Sequence, residues 1–192
     1  MNEGYVLIAI PLVLLVLFAL MYNALVRGRN TCDESWADID TELKRRYDLI
    51  PNLVSTVQGY AKHEREVLER VTQARTTAMA NRGSPQSQAK DENTLVQGLR
   101  QLLAVAESYP ELKANQNYLA LQAELANTED RIQRARRFYN ANVRDYCNRL
   151  ESFPSNLVAS AFGFQRREFF EIEDVSQREA PVVNLAEPPA MR

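Results

Sequence analysis

His63 followed by Glu64 is the arrangement with which a zinc-peptidase helix begins, an imidazole ligand beside a carboxylate able to act as base. The second ligand would belong at position 67, which is Val67, and His63 is the sole histidine of the chain. Metal hydrolysis is excluded on that ground. Asp38, Asp48, Glu64 and Glu129 could gather inside a helical bundle, yet di-iron chemistry asks for two Glu-x-x-His pairs and none is present. Two cysteines, Cys32 and Cys147, cannot build a disulfide framework or, with one histidine, a conventional zinc site. The expectation is a protein with no catalytic residues, no cofactor and no metal. Asp40, Asn52, Asn140 and Asn156 are read as register or capping residues. Tyr47, Tyr60, Tyr118, Phe138, Tyr139 and Tyr146 are read as core side chains with hydroxyls reaching toward the surface.

The elements that carry these residues are helical. In 192 residues there are 8 prolines and 6 glycines, about 7% where roughly 12% is ordinary, so long uninterrupted elements are expected. Basic and acidic residues number 23 and 25, and this near balance argues against a nucleic-acid partner. From Gly4 to Val26 no side chain is charged, and Val6 to Met21 is almost wholly aliphatic, enough to cross about 30 Å of hydrocarbon as a helix. Residues 1–4 read as a short external leader and 5–26 as a transmembrane helix flanked by Tyr5 and Tyr22 at headgroup depth. The start lacks the basic residues of a signal peptide, and the apolar run exceeds the usual span of one. Arg27, Arg29, Lys44, Arg45 and Arg46 all follow the span, which places the body in the cytoplasm, with lipids as partners at Arg27 and Arg29.

Beyond the span, Trp36, Ile39, Leu43, Tyr47, Ile50, Val54, Val57, Ala61, Leu68 and Val71 recur at steps of three and four, the period of an amphipathic helix with a coiled-coil-like seam. This helix is expected to run to Asn81-Arg82-Gly83, with Gly83 as a left-handed cap and a kink or break at Pro51. Ser84-Pro85 opens a shorter helix through Leu95, Leu99 and Leu102. Pro110 opens a long one through Leu112, Tyr118, Leu121, Leu125, Ile132, Tyr139, Tyr146 and Leu150, and Pro154 a last turn or two to Gly163. Phe164, Phe169 and Phe170 are expected to dock on the bundle, and residues 171–192, acidic and then proline-bearing, to form a flexible tail.

The fold class is therefore all-α, a single N-terminal transmembrane helix followed over residues 27–170 by an antiparallel bundle of long helices. The helices differ too much in length for a simple up-down-up hairpin to hide both long seams. Two solutions offer themselves: a fold-back at Pro51 into a compact four-helix bundle, or a kinked continuous rod whose stripes neighbouring protomers cover. The second is the expectation, because a fold-back at Pro51 would drive the turn near Gly83 toward the headgroups. Trp36, Ile39, Leu43, Tyr47, Leu125, Ile132, Tyr139 and Tyr146 then form a seam for self-association, and the chain is a homo-oligomer.

Several uncommon strings occur in order: Leu43-Lys44-Arg45-Arg46-Tyr47-Asp48-Leu49-Ile50-Pro51-Asn52-Leu53-Val54, Ala135-Arg136-Arg137-Phe138-Tyr139-Asn140 and Phe153-Pro154-Ser155-Asn156-Leu157-Val158. Over most of residues 23–173 the chain resembles the LemA family of bacterial membrane-anchored helical proteins. That resemblance implies an outside amino terminus, one anchor and a cytoplasmic antiparallel bundle, and it implies no enzyme. A magnetosome relative linked to forming internal membranes makes membrane organisation the expected role. The expected function is a non-enzymatic membrane-anchored scaffold that self-associates and organises or remodels the inner membrane. The alternative is an adaptor or regulator of a membrane protein partner such as a protease.

Overall fold

The computed structural model describes residues 2–172, with side chains described from residue 9 onward. Six helices follow one another, α1 Asn2–Tyr60, α2 Arg65–Ala80, α3 Pro85–Glu107, α4 Pro110–Lys113, α5 Gln116–Glu151 and α6 Ser155–Ala161. The polar part of α1 packs chiefly on α5 and the two run antiparallel. Tyr60 meets Asn115 at one end, Trp36 meets Tyr139 midway, and the carbonyl of Ala24 meets Arg149 at the other. α2 folds back along α1, and α3 returns antiparallel to α2. The body is an up-down-up-down four-helix bundle.

The expected kink at Pro51 is absent as a break: α1 passes through Pro11 and Pro51 as one helix of 59 residues. Proline at position 51 removes the donor that would serve the carbonyl of Tyr47. Arg75 on α2 replaces it, its Nε donating to that carbonyl at 2.6 Å. The missing backbone bond is thus supplied by the neighbouring helix.

The chain instead reverses at Ala61–Glu64, and the expected continuous rod is corrected to the fold-back bundle. The steric objection to folding back disappears with this break point. Residues 27–60 rise about 50 Å, whereas the 16 residues of α2 descend only about 24 Å, so the turn before α3 stays well clear of the apolar segment. Gly83 is also corrected. Gly163 alone among the described glycines has positive φ, at 67°, and α2 ends in an extended Asn81 whose side-chain Oδ1 accepts from Gly83 N at 2.7 Å. The helix expected from Pro110 is split, since Asn115 caps α5 by accepting from the amides of Asn117 and Tyr118. Ser84 caps α3 as its position before Pro85 predicted.

After Gly163 the chain runs extended along the α1–α5 pair. Phe170 is fully buried there, and Phe164 and Phe169 pack on the core. Ile172 is buried too, so the docked segment reaches two residues past the expected start of the tail; residues 173–192 of that tail lie outside the described residues.

Candidate membrane interface and buried seam

α1 is long and apolar enough to cross a membrane, and residues 9–20 present their side chains outward with no protein packed over most of them. Tyr22 stands at the end of this segment, edge-on to the rings of Phe162 and Phe164 at 4.9 and 5.7 Å. Tyr5 lies outside the residues whose side chains are described. Arg27 and Arg29 are exposed one to two turns beyond Tyr22, and the Arg29 guanidinium lies 5.7 Å from the centre of the Phe164 ring. Aromatic ring followed by guanidinium is the order in which side chains sort at a headgroup layer.

The seam residues come together, but inside one chain. Ile39, Leu43, Tyr47, Leu125, Ile132, Tyr139 and Tyr146 are all buried, and Trp36 is half-buried, its ring 5.3 Å from that of Tyr139 and 5.2 Å from that of Phe170. Protomers were expected to cover these positions; α5 and the extended segment cover them instead. The reversal at Ala61–Glu64 brings enough helix back to close the stripes without a second copy.

What the sequence reading missed is polar. Arg46, counted with Lys44 and Arg45 among the basic residues that follow the span, is fully buried. It pairs through one terminal nitrogen with Glu92 of α3, also fully buried, and through the other with Glu129 of α5 at 2.8 Å. The hydroxyl of Tyr47 donates to the other oxygen of Glu92. Gln88 donates at 3.0 Å to Glu92, to the Tyr47 hydroxyl and to the carbonyl of Ala78. Burial, then the charge and hydrogen bond of Glu92, push the Tyr47 phenol well above its ordinary range, so it keeps its proton and donates it to Glu92 while accepting from Gln88. A signal for this network did exist: Ile39, Leu43, Arg46, Ile50, Leu53 and Val57 follow one another at strict steps of four and three, which puts Arg46 in the core register.

The extended segment is held by a second set of polar groups. Asn140 makes a two-way clamp on Phe170, accepting from its amide at 2.9 Å and donating to its carbonyl at 3.1 Å. The Tyr139 hydroxyl donates to the carbonyl of Glu168, and Arg136 to that of Ile172. The Tyr-Asn step of one of the family-like strings therefore holds the segment after Gly163 against α5.

Among the described residues no group of three or more His, Cys, Asp or Glu is placed to hold a metal, and His63 sits in the turn between α1 and α2. Burial pushes the Cys32 thiol up to about 11, which leaves it a poor nucleophile. Between α3 and α5 a groove of about 730 Å³ has Leu99, Leu103 and Leu125 in its floor and Asp130, Arg134 and Arg137 on its rim.

Comparison with known proteins agrees with this geometry. Protein LemA of Metamycoplasma hominis is 25% identical over 156 residues, covering 81% of this chain and 71% of that protein. Magnetosome protein MamQ 2 of Paramagnetospirillum magneticum is 26% identical over 176 residues, covering 78% of this chain and 64% of its own, so the chain spans a little under two thirds of that relative. Magnetosome protein MamQ of Magnetospirillum gryphiswaldense is 25% identical over 194 residues, covering 85% and 71%. The LemA family profile matches residues 35–185, taking in the buried network, the clamp and all of α2 to α6, and the chain belongs to the LemA family.

Proposed function

We propose that this protein is a non-enzymatic scaffold anchored in the bacterial inner membrane by α1, with its bundle in the cytoplasm, and that it organises membrane rather than transforming a substrate. One observation carries the reading: the apolar segment and the first helix of the bundle are a single unbroken α1. A body joined to its anchor without a hinge keeps a fixed attitude to the bilayer, and a fixed attitude is what a structural element needs and a tethered enzyme does not. Arg27 and Arg29 on the body side support the cytoplasmic orientation. Magnetosome proteins among the relatives support a role tied to a membrane-bounded structure. Since the seam is closed within the chain, assembly on this reading uses other surfaces, and lipid itself is the first partner.

The test is imaging of full-length protein reconstituted into vesicles of phosphatidylethanolamine and phosphatidylglycerol. Ordered arrays, or vesicles of altered shape at high protein density, are expected. Dispersed single copies on unchanged vesicles would overturn the scaffold and leave the adaptor, whose mark is a stoichiometric membrane protein partner retained in mild detergent.

A further inference from the structure

The end of the bundle from which the apolar segment leaves is closed by α6 and the turns on either side of it. α6 buries Val158 and Ala159 against the bundle and turns its other face outward. On that outward face and in the turns that flank it, Phe153 is 80% exposed, Leu157 61% and Phe162 53%, three large apolar side chains close together in sequence and outside the apolar segment itself. Leu157 and Ala161 are four residues apart on α6 and so share one side of it, with Phe153 and Phe162 in the turns that flank the helix. For side chains facing water this is an unfavourable display.

Its neighbours say what covers it. The Phe162 ring lies 5.7 Å from that of Phe18 and 4.9 Å from that of Tyr22, both residues of α1 at the end of the apolar segment. Phe18 is one helical turn, about 6 Å, further into that segment than Tyr22. With α1 crossing a bilayer, a ring in contact with Phe18 stands at or below the headgroup layer, and the patch is continuous with the lipid-facing surface of the span. Charges ring it at the right height. Arg149 reaches the carbonyl of Ala24, Arg166 pairs with Glu151 at 3.2 Å, and Arg27 is exposed just past the span. Guanidinium groups around an apolar patch are the pattern of an interfacial contact with anionic lipid.

We propose that α6 is a second membrane contact, in which Phe153, Leu157 and Phe162 insert into the interface of the same bilayer that α1 crosses. The bundle is thereby seated on the membrane at two points and its tilt is fixed. This rests on the reading of α1 as membrane-spanning, and the experiment separates the two.

Full-length protein carrying Trp36→Phe, which removes the sole native indole, is given one new tryptophan at a time by Leu157→Trp, Leu14→Trp or Leu119→Trp. Each variant is reconstituted into phosphatidylethanolamine and phosphatidylglycerol vesicles without bromine, with acyl chains brominated near the headgroup end, and with chains brominated near the methyl end, so that both the interface and the middle of the bilayer carry a quencher. Leu119 is exposed at the start of α5, far from the apolar segment, and its replacement reports water. The expected result is loss of most emission, with a shift to shorter wavelength, for Leu157→Trp and Leu14→Trp, and no loss for Leu119→Trp. Quenching in Leu14→Trp without quenching in Leu157→Trp would overturn the α6 contact and leave the span intact. Quenching in Leu157→Trp alone would keep the contact and overturn the span. Quenching in neither overturns both. All three positions are exposed, so these exchanges leave the core untouched.

Discussion

The two ends of the bundle solve the problem of closing a core in different ways. Far from the apolar segment, four helices surround a centre that contains the Arg46–Glu92 pair together with Tyr47 and Gln88. Near the apolar segment α2 and α3 are absent, because 16 and 23 residues are too few to reach it. Two helices alone cannot enclose a core, so the extended segment from Phe164 to Ile172 lies along the α1–α5 pair and α6 closes the base. The far half is closed by helix packing around ionic groups, the near half by one clamped segment without regular secondary structure over Trp36. A helix leaves only as a unit, whereas an irregular segment held by a few side-chain bonds can detach locally, so the near half is the expected site of sub-global opening.

Arg46→Ala should break the far half. Removing the guanidinium leaves Glu92 charged, buried and unpaired, a situation that costs about 3–5 kcal/mol. Urea unfolding of the full chain in detergent should show the loss, and Arg46→Met combined with Glu92→Leu should recover much of it, since the charge then left without a partner is that of Glu129, whose side chain reaches solvent. If Arg46→Ala unfolded at the wild-type midpoint, the network would not be organising the far core.

Asn140→Ala tests the near half. Both polar groups of the Phe170 backbone lose their partner, for about 1–3 kcal/mol. The loss should be local: amide exchange should accelerate in residues 164–172 and in the first turns of α6, with α2 and α3 unchanged. Uniform acceleration across all helices would mean that the two halves open together.

Smaller still is the effect of Arg75→Ala, which strips the Tyr47 carbonyl of the donor that stands in for Pro51. An unsatisfied carbonyl costs on the order of 1–2 kcal/mol. In a Pro51→Ala background the backbone amide returns, and the same Arg75→Ala change should cost less. Equal costs in both backgrounds would show that Arg75 and Pro51 are not coupled.

Much of this architecture could be read before any coordinates. The apolar segment, the Ser84-Pro85 start of α3, the last short helix to Gly163 and the docking of Phe170 follow from composition, capping chemistry and period. The reversal at Ala61–Glu64 could not, because Ala61 and Leu68 are seven residues apart and the apolar phase runs through the turn as though the helix continued. Glu64 begins α2 without a side-chain cap, so no start signal marks it either. At Pro51 a kink and a break both stay open in one dimension, because the Arg75 that compensates the proline is 24 residues distant and visible only in three. The same blindness hid the buried network, since Arg46 looks like its basic neighbours until the spacing of Ile39, Leu43, Ile50 and Leu53 is counted.

Alkaline pH should sharpen the contrast between the halves with the smallest effect. In the near half burial raises Cys32 from 9.0 to about 11, and Tyr139 from 10.0 to about 12. In the far half burial and Glu92 raise Tyr47 from 10.0. Each group keeps its proton when folded at a pH where the unfolded chain has released it. Its contribution is therefore complete below the unfolded value and lost as pH rises through the folded one. Cys32 has the lowest unfolded value of the three, so the first loss of stability, between pH 9 and 10, belongs to the near half and amounts to about 1 kcal/mol. Cys32→Ala should flatten the stability profile over that interval and leave the steeper fall above pH 10, where the tyrosines titrate. A fall between pH 9 and 10 that survives Cys32→Ala undiminished would assign the first alkaline loss to another group, and the near half would no longer be the one that yields first.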